Sequence, residues 1–182
     1  MRKSVKITCC GIISAIAAVI LLATNIPIML YAIPALAGIV YIVPAIEFGT
    51  KWAFLCYGIT AIISLVLPCE REALIVFIGI LGYYPIVKML IERLNNRLLE
   101  YILKLLLFNV SIIASYTVVI KLMGITVLEN DMFGLKITVA LLLLAGNIVF
   151  LVFDFTLTRI LQLYFIKLRK IVRKTLGIKG KN

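Results

Sequence analysis

From Ile7 to Ile46 the chain carries no charged side chain, a run of forty residues. The hydrocarbon core of a bilayer is about 30 Å thick, and about 20 apolar residues in a helix span it. The run is therefore two spans rather than one, and a turn must divide it. Ala23-Thr24-Asn25-Ile26-Pro27 marks that turn: Thr and Asn favour turns, and Pro fits the first turn of the helix that follows. The reading is a first helix over about 6–24 and a second over about 28–47, the second kinked or broken by Pro34 and Pro44. A membrane tolerates such a break where neighbouring helices or water satisfy the freed carbonyls.

The same logic gives a third helix over about 52–67, a fourth over 73–91 with a bend at Pro85, a fifth over 98–121 and a sixth over 135–165, followed by a basic tail, 166–182. The chain has 182 residues, 64% of them hydrophobic, where soluble domains are about half apolar. The expectation is an all-α membrane protein, a single six-transmembrane-helix bundle with no room for a soluble catalytic lobe. Met1-Arg2-Lys3-Ser4-Val5-Lys6 resembles the basic start of a signal peptide. The apolar run after it is too long, and lacks a small-residue cleavage site, so the first helix is expected to stay. The uncharged centres of the last three helices run only from Ala73 to Val87, Leu105 to Ile120 and Ile137 to Phe153. Lys88, Lys104 and Arg159 are therefore expected to snorkel to the helix ends.

Six spans put both termini on one side, and charge chooses the side. With cytoplasmic termini, the inner segments carry 16 basic residues, and the outer ones only Arg71, Lys121 and Lys136. That asymmetry follows the positive-inside rule and places both termini in the cytoplasm of a bacterial cell. The net charge of +11 is mostly this bias, and the tail is expected to touch anionic membrane lipid rather than nucleic acid.

Composition removes several function classes. The chain has no His, so the H-E-x-x-H of intramembrane metalloproteases and the base of a Ser-His pair are absent. No phosphate-binding G-x-x-x-x-G-K-[ST] occurs, so the chain does not hydrolyse ATP alone. Cys9, Cys10, Cys56 and Cys69 lack the spacing of a metal site and read as small apolar fillers. No catalytic residue, metal or cofactor is expected, and the protein reads as no enzyme.

Three features stand out from the apolar background. Gly11 with Ala15, and Ser14 with Ala18, put small residues four apart on the cytoplasmic half of the first helix. Such a stripe lets another helix approach closely, inside the bundle or on a separate membrane subunit. Pro68-Cys69-Glu70-Arg71-Glu72-Ala73 puts three charges between two apolar runs, in an outer loop. They read as a water-facing cap whose acids offset the helix dipole, or as a polar lip around a pocket that Glu129, Asn130 and Asp131 could close. Within the spans, Asn109 and Tyr116 share a face of the fifth helix, and Asn147 and Asp154 a face of the sixth. Polar groups there turn inward and find partners. Asp154 is expected to pair with Lys88 or Lys104, as a structural clamp or a proton or ion relay. Tyr83-Tyr84-Pro85 in "GYYPIVK" is distinctive but suggests no role.

About 180 residues, six helices, both ends inside, a small-residue stripe on helix 1 and a basic tail together resemble the substrate-binding S components of energy-coupling factor (ECF) transporters. The resemblance covers the whole chain in architecture. It implies uptake of one small molecule, a vitamin or micronutrient, captured from outside. The pocket would be built from the outer halves of helices 4–6 and the loops around helices 1–2 and 3–4. Here that implies Asn25 and Tyr31, then Glu70, Arg71 and Glu72, then Asn109, Tyr116 and Asn147 as substrate-binding residues. It also implies docking of the stripe, Gly11, Ser14, Ala15 and Ala18, on a transmembrane coupling subunit driven by two ATPase subunits. The rival reading is a structural membrane scaffold of the cell-shape type, without ligand. An integral-membrane enzyme is third, weakened by the missing His.

Overall fold

A computed structural model describes residues 3–26, 29–94, 96–123 and 132–175, and no strand occurs among them. Among the described residues, four helical stretches are long and apolar enough to cross a membrane: Lys3–Asn25, Arg71–Ile91, Arg97–Lys121 and Leu141–Lys174. Two shorter apolar stretches among these residues are Ala32–Glu47 and Thr50–Val66.

Helix α1 (Lys3–Leu22) ends in a 3-10 turn, Ala23–Asn25, where the Thr24 hydroxyl donates to the Leu21 carbonyl. It packs on α4 (Thr50–Val66) through Cys10, Ser14, Ala17 and Leu21, all buried. These side chains are short enough for the backbones to close up. Ser14 Oγ donates to the Cys56 carbonyl at 3.1 Å, and Thr60 Oγ1 to the same carbonyl at 3.0 Å. In lipid, where burying apolar surface drives little helix association, such contacts contribute about 0.6–2 kcal/mol each.

The second predicted helix is broken into α2 (Ala32–Ile39) and α3 (Ile42–Glu47). Pro34 and Pro44 each fall at the third residue of their piece, where a missing N–H breaks no bond within it. The break lies at Val40–Tyr41, because Pro44 has no N–H to give the Val40 carbonyl. Gly38 then meets the backbone of Leu81 so closely that a Cβ there would overlap the Leu81 carbonyl oxygen. Gly49, at φ 99°, joins α3 to α4: Phe48 and Gly49 both donate to the Pro44 carbonyl, a helix end that favours glycine in the left-handed region.

The fourth predicted helix is three pieces: α5 (Arg71–Val76), a π-helical turn (Phe77–Leu81) and α6 (Tyr84–Ile91). The bend lies upstream of Pro85, which occupies the first turn of α6. In the π turn, Gly82 N–H reaches back to Phe77 at 2.8 Å. That frees the Ile78 carbonyl, which accepts the Tyr57 hydroxyl at 2.7 Å. A hydrogen bond from α4 thus satisfies the π distortion. Gly79 faces α7 (Arg97–Met123), with no space for a Cβ beside Ser115 Oγ.

Helix α8 (Met132–Leu163) runs through a π turn (Tyr164–Leu168) into α9 (Arg169–Thr175). The basic segment expected as a tail is thus helical as far as Thr175. Two hydrophobic clusters hold the fold. One gathers Ala17, Ala37, Tyr41, Cys56 and Phe77; the other gathers Ile80, Tyr84, Phe108, Phe150 and Leu157. The α5–α6 pass contributes to both and is the most enclosed: its most apolar window is 50% buried, against 28% for α7 and 17% for α8–α9. Leu141, Leu142, Leu144, Val149 and Val152 of α8 are exposed, an apolar surface suited to lipid.

Candidate functional site

Three of the nominated binding residues meet at one end of the bundle. Tyr31, in the turn before α2, donates its hydroxyl to Glu72 Oε1 at 2.5 Å. Tyr116 of α7 lies 2.9 Å from the Tyr31 hydroxyl and 3.4 Å from the same carboxylate oxygen. Burial, and then the bond to Glu72, push the Tyr31 phenol above its ordinary range. The triad is half-open, with Tyr31 46% and Tyr116 38% exposed. Asn25 braces it from behind: its Nδ2 donates to the Pro68 carbonyl at 2.9 Å, and Glu70 N–H donates to Thr24 Oγ1. The two connections at this end are thereby tied together. Glu70 and Arg71 are exposed, whereas Glu72 is half-buried and turned toward Tyr31 and Tyr116. The cluster at Pro68–Ala73 is thus partly cap and partly wall. Glu129, Asn130 and Asp131 lie outside the described residues, as does Pro27.

Asn109 and Asn147 are drawn together in another way. Asn109 Nδ2 donates to Asn147 Oδ1 at 2.9 Å, and Asn147 Nδ2 to Asn109 Oδ1 at 3.0 Å. Each amide gives its other N–H to the carbonyl four residues back, Leu105 and Leu143. All four amide protons are used, so the pair joins α7 to α8. The small-residue stripe divides as well. Ser14 and Ala18 are buried, while Gly11 and Ala15 are exposed.

The densest polar cluster contains no nominated binding residue. Lys88 on α6 and Lys104 on α7 are buried, at 0% and 3% side-chain exposure, and do not snorkel. Lys88 Nζ lies 2.5 Å from Asp154 Oδ1 and 2.5 Å from Glu92 Oε1. Lys104 Nζ reaches Glu100 at 2.6 Å, Glu92 at 3.0 Å and Asp154 Oδ2 at 3.2 Å. The Tyr84 hydroxyl donates to Asp154 Oδ1 at 2.5 Å. Asp154 therefore pairs with both lysines expected for it, and "GYYPIVK" acquires a use. Tyr83 hydrogen-bonds Ser111, Tyr84 and Lys88 hold Asp154, and Pro85 starts the helix between them. The signal was Lys88 and Glu92 four apart, and Glu100 and Lys104 four apart, oppositely charged pairs at the ends of apolar runs.

At that same end Glu47, buried at 1% side-chain exposure, is clamped by Arg169 at 3.3 Å and Arg173 at 2.9 Å. Lys167, Lys170 and Lys174 of the same segment are exposed. Among the described residues no group of three His, Cys, Asp or Glu side chains is placed to hold a metal ion.

No protein-family model matches the chain, and comparison with characterised proteins and with solved structures finds no significant similarity.

Proposed function

We propose that this protein is a six-span membrane component with cytoplasmic termini that binds a small molecule from outside and hands it to an ATP-driven coupling module. The carrying observation is the Tyr31–Glu72–Tyr116 triad, supplied by three separate elements and half-open at the end opposite the basic α9. Side chains from so many elements turned toward one carboxylate suit recognition of a polar ligand better than a cap on one helix, which would need Glu72 alone. The break at Val40–Tyr41 and the π turn at Phe77–Leu81 supply hinges for closing over it. Exposed Gly11 and Ala15 leave half of the small-residue stripe for a coupling subunit.

Purification in mild detergent followed by mass spectrometry tests the reading. A co-purified metabolite lost in Glu72→Gln, together with capture of a membrane coupling subunit and ATPases, is the expected outcome. Absence of both refutes it. Ala15→Leu is expected to abolish capture while leaving ligand and fold intact. The ligand-free scaffold gains from the Asn109–Asn147 pair, two nominated binding residues whose amide protons are spent on packing. Full cell-shape activity in Glu72→Gln, with no retained metabolite in the wild type, favours it.

A further inference from the structure

Beside the Lys88–Lys104–Asp154 cluster lies a cavity of 380 Å³ between α7 and α8. Its polar wall is Glu92, Glu100, Lys104, Asp154 and Thr158. Its rim is apolar and faces outward: Tyr101 is 54% exposed, Leu151 44% and Phe155 59%. The polar floor thus opens sideways onto the surface that α7 and α8 present to lipid.

The hydrogen-bond inventory decides what such a floor can hold. A lysine ammonium has three N–H donors and no acceptor. Lys104 directs its three at Glu92, Glu100 and Asp154, leaving none for an occupant. Thr158 gives its hydroxyl proton to the Asp154 carbonyl at 3.0 Å. Lys88, wholly buried, is held by Glu92 and Asp154. What remains to face the cavity is acceptor: carboxylate oxygen and the Thr158 lone pairs, with only the Tyr101 hydroxyl able to do either. Three carboxylates against two ammoniums leave the floor itself one negative charge in excess, before Arg159 at the rim is counted. Of the neighbouring charges, Arg159 lies over Phe155 at 4.8 Å and bonds Gln162. Glu47 of α3 is held by Arg169 and Arg173. Arg93, Arg97 and Lys51 of α4 are exposed.

We infer that this cavity is a lipid site for a primary-ammonium headgroup, that of phosphatidylethanolamine. The ammonium donates to Glu92 and Glu100, and the acyl chains run along Leu151 and Phe155. On the floor an anionic headgroup finds neither a free donor nor a favourable charge; exposed Arg159, over Phe155 at the rim, lies outside it. A quaternary ammonium has no N–H to donate to these acceptors. The lipid source follows from the outward apolar rim, which a free amine would leave uncovered. The site is independent of the triad and of what the protein transports.

Delipidated full-length protein in nanodiscs or mild detergent is titrated with phosphatidylethanolamine, phosphatidylglycerol and phosphatidylcholine, and bound lipid is read by native mass spectrometry. Phosphatidylethanolamine is expected to bind about tenfold more tightly than either, the size of a charge-assisted hydrogen bond. The double variant E92Q/E100Q is expected to lose that preference. The comparison in the wild type needs no variant, so a variant that fails to fold leaves the test intact. Equal or tighter binding of phosphatidylglycerol overturns the inference. So does an unchanged preference in a folded E92Q/E100Q protein, or full displacement of the lipid by millimolar ethanolamine, which marks a site for free amines.

Discussion

At the scale of single residues, Asp154 shows how a lone charge in an apolar helix is satisfied. It takes Lys88 and Tyr84 on one oxygen and Lys104 on the other, so it connects α6, α7 and α8 at one point. Removing one member of a buried ion cluster strands the others, which costs about 3–5 kcal/mol where breaking such a pair has been measured. Asp154→Ala is therefore expected to lower unfolding stability in detergent by about that much, read from the midpoint of a denaturant titration. A change under about 1 kcal/mol would mean that water already carries the lysines. The sequence showed that Asp154 needed a cation and named two. It did not show that both would come, nor that two glutamates would join them. Their convergence is a matter of how α6, α7 and α8 pack together, which no one helix announces.

At the scale of elements, the irregular helices follow from prolines and from glycines that let backbones touch. Pro34, Pro44 and Pro85 were legible as breakers, but each sits in a first turn, so the breaks fall upstream of Pro44 and Pro85. The π turn had no proline to announce it. It is held by Tyr57 and by the close approaches at Gly38 and Gly79, contacts between residues distant in the chain. A Cβ at Gly38 would strike the Leu81 carbonyl, which is backbone and cannot swing aside. Gly38→Ala is expected to destabilise by about 1–3 kcal/mol, while Gly58→Ala, with nothing near its Cβ, is expected to be neutral or slightly stabilising. Equal behaviour of the two in thermal unfolding would remove the close α2–π-turn contact from the account. The stripe on α1 follows the same rule. Small residues at four-residue spacing announce that a helix comes close, but not which helix, and α4 takes Ser14.

At the scale of the whole molecule, the apolar helices and the charge asymmetry carry the membrane reading, and the proposed orientation rests on the second of these. In a cysteine-free background, a membrane-impermeant maleimide is expected to label Glu70→Cys in intact cells. Lys174→Cys is expected to react only after the membrane is opened, and the reverse pattern would invert the topology. Native Cys69 is a poor reporter, because burial pushes its thiol up and depletes the reactive thiolate. The enclosed position of α5–α6 between the two hydrophobic clusters has the same global origin. Its residues are hardly more apolar than those of α8, so composition alone could not rank them.

What the sequence determined by itself is what depends on local composition: helices through the described residues, the turn at Thr24–Asn25, and a chain that holds neither a histidine nor a nucleotide-binding loop. Bilayer thickness and the backbone's need for hydrogen bonds fix the helices without knowledge of neighbours. The tertiary structure alone decided which polar groups spend their donors on each other and which keep capacity to spare. Asn109 and Asn147 look as suited to a ligand as Tyr31 and Glu72 when read along the chain, and only their pairing across α7 and α8 consumes their protons. Lys104 looks like a cation at a helix end, and only the arrival of three carboxylates leaves its cavity with acceptors. Donor capacity belongs to a side chain, but what remains of it is set by the neighbours that packing brings within about 3 Å.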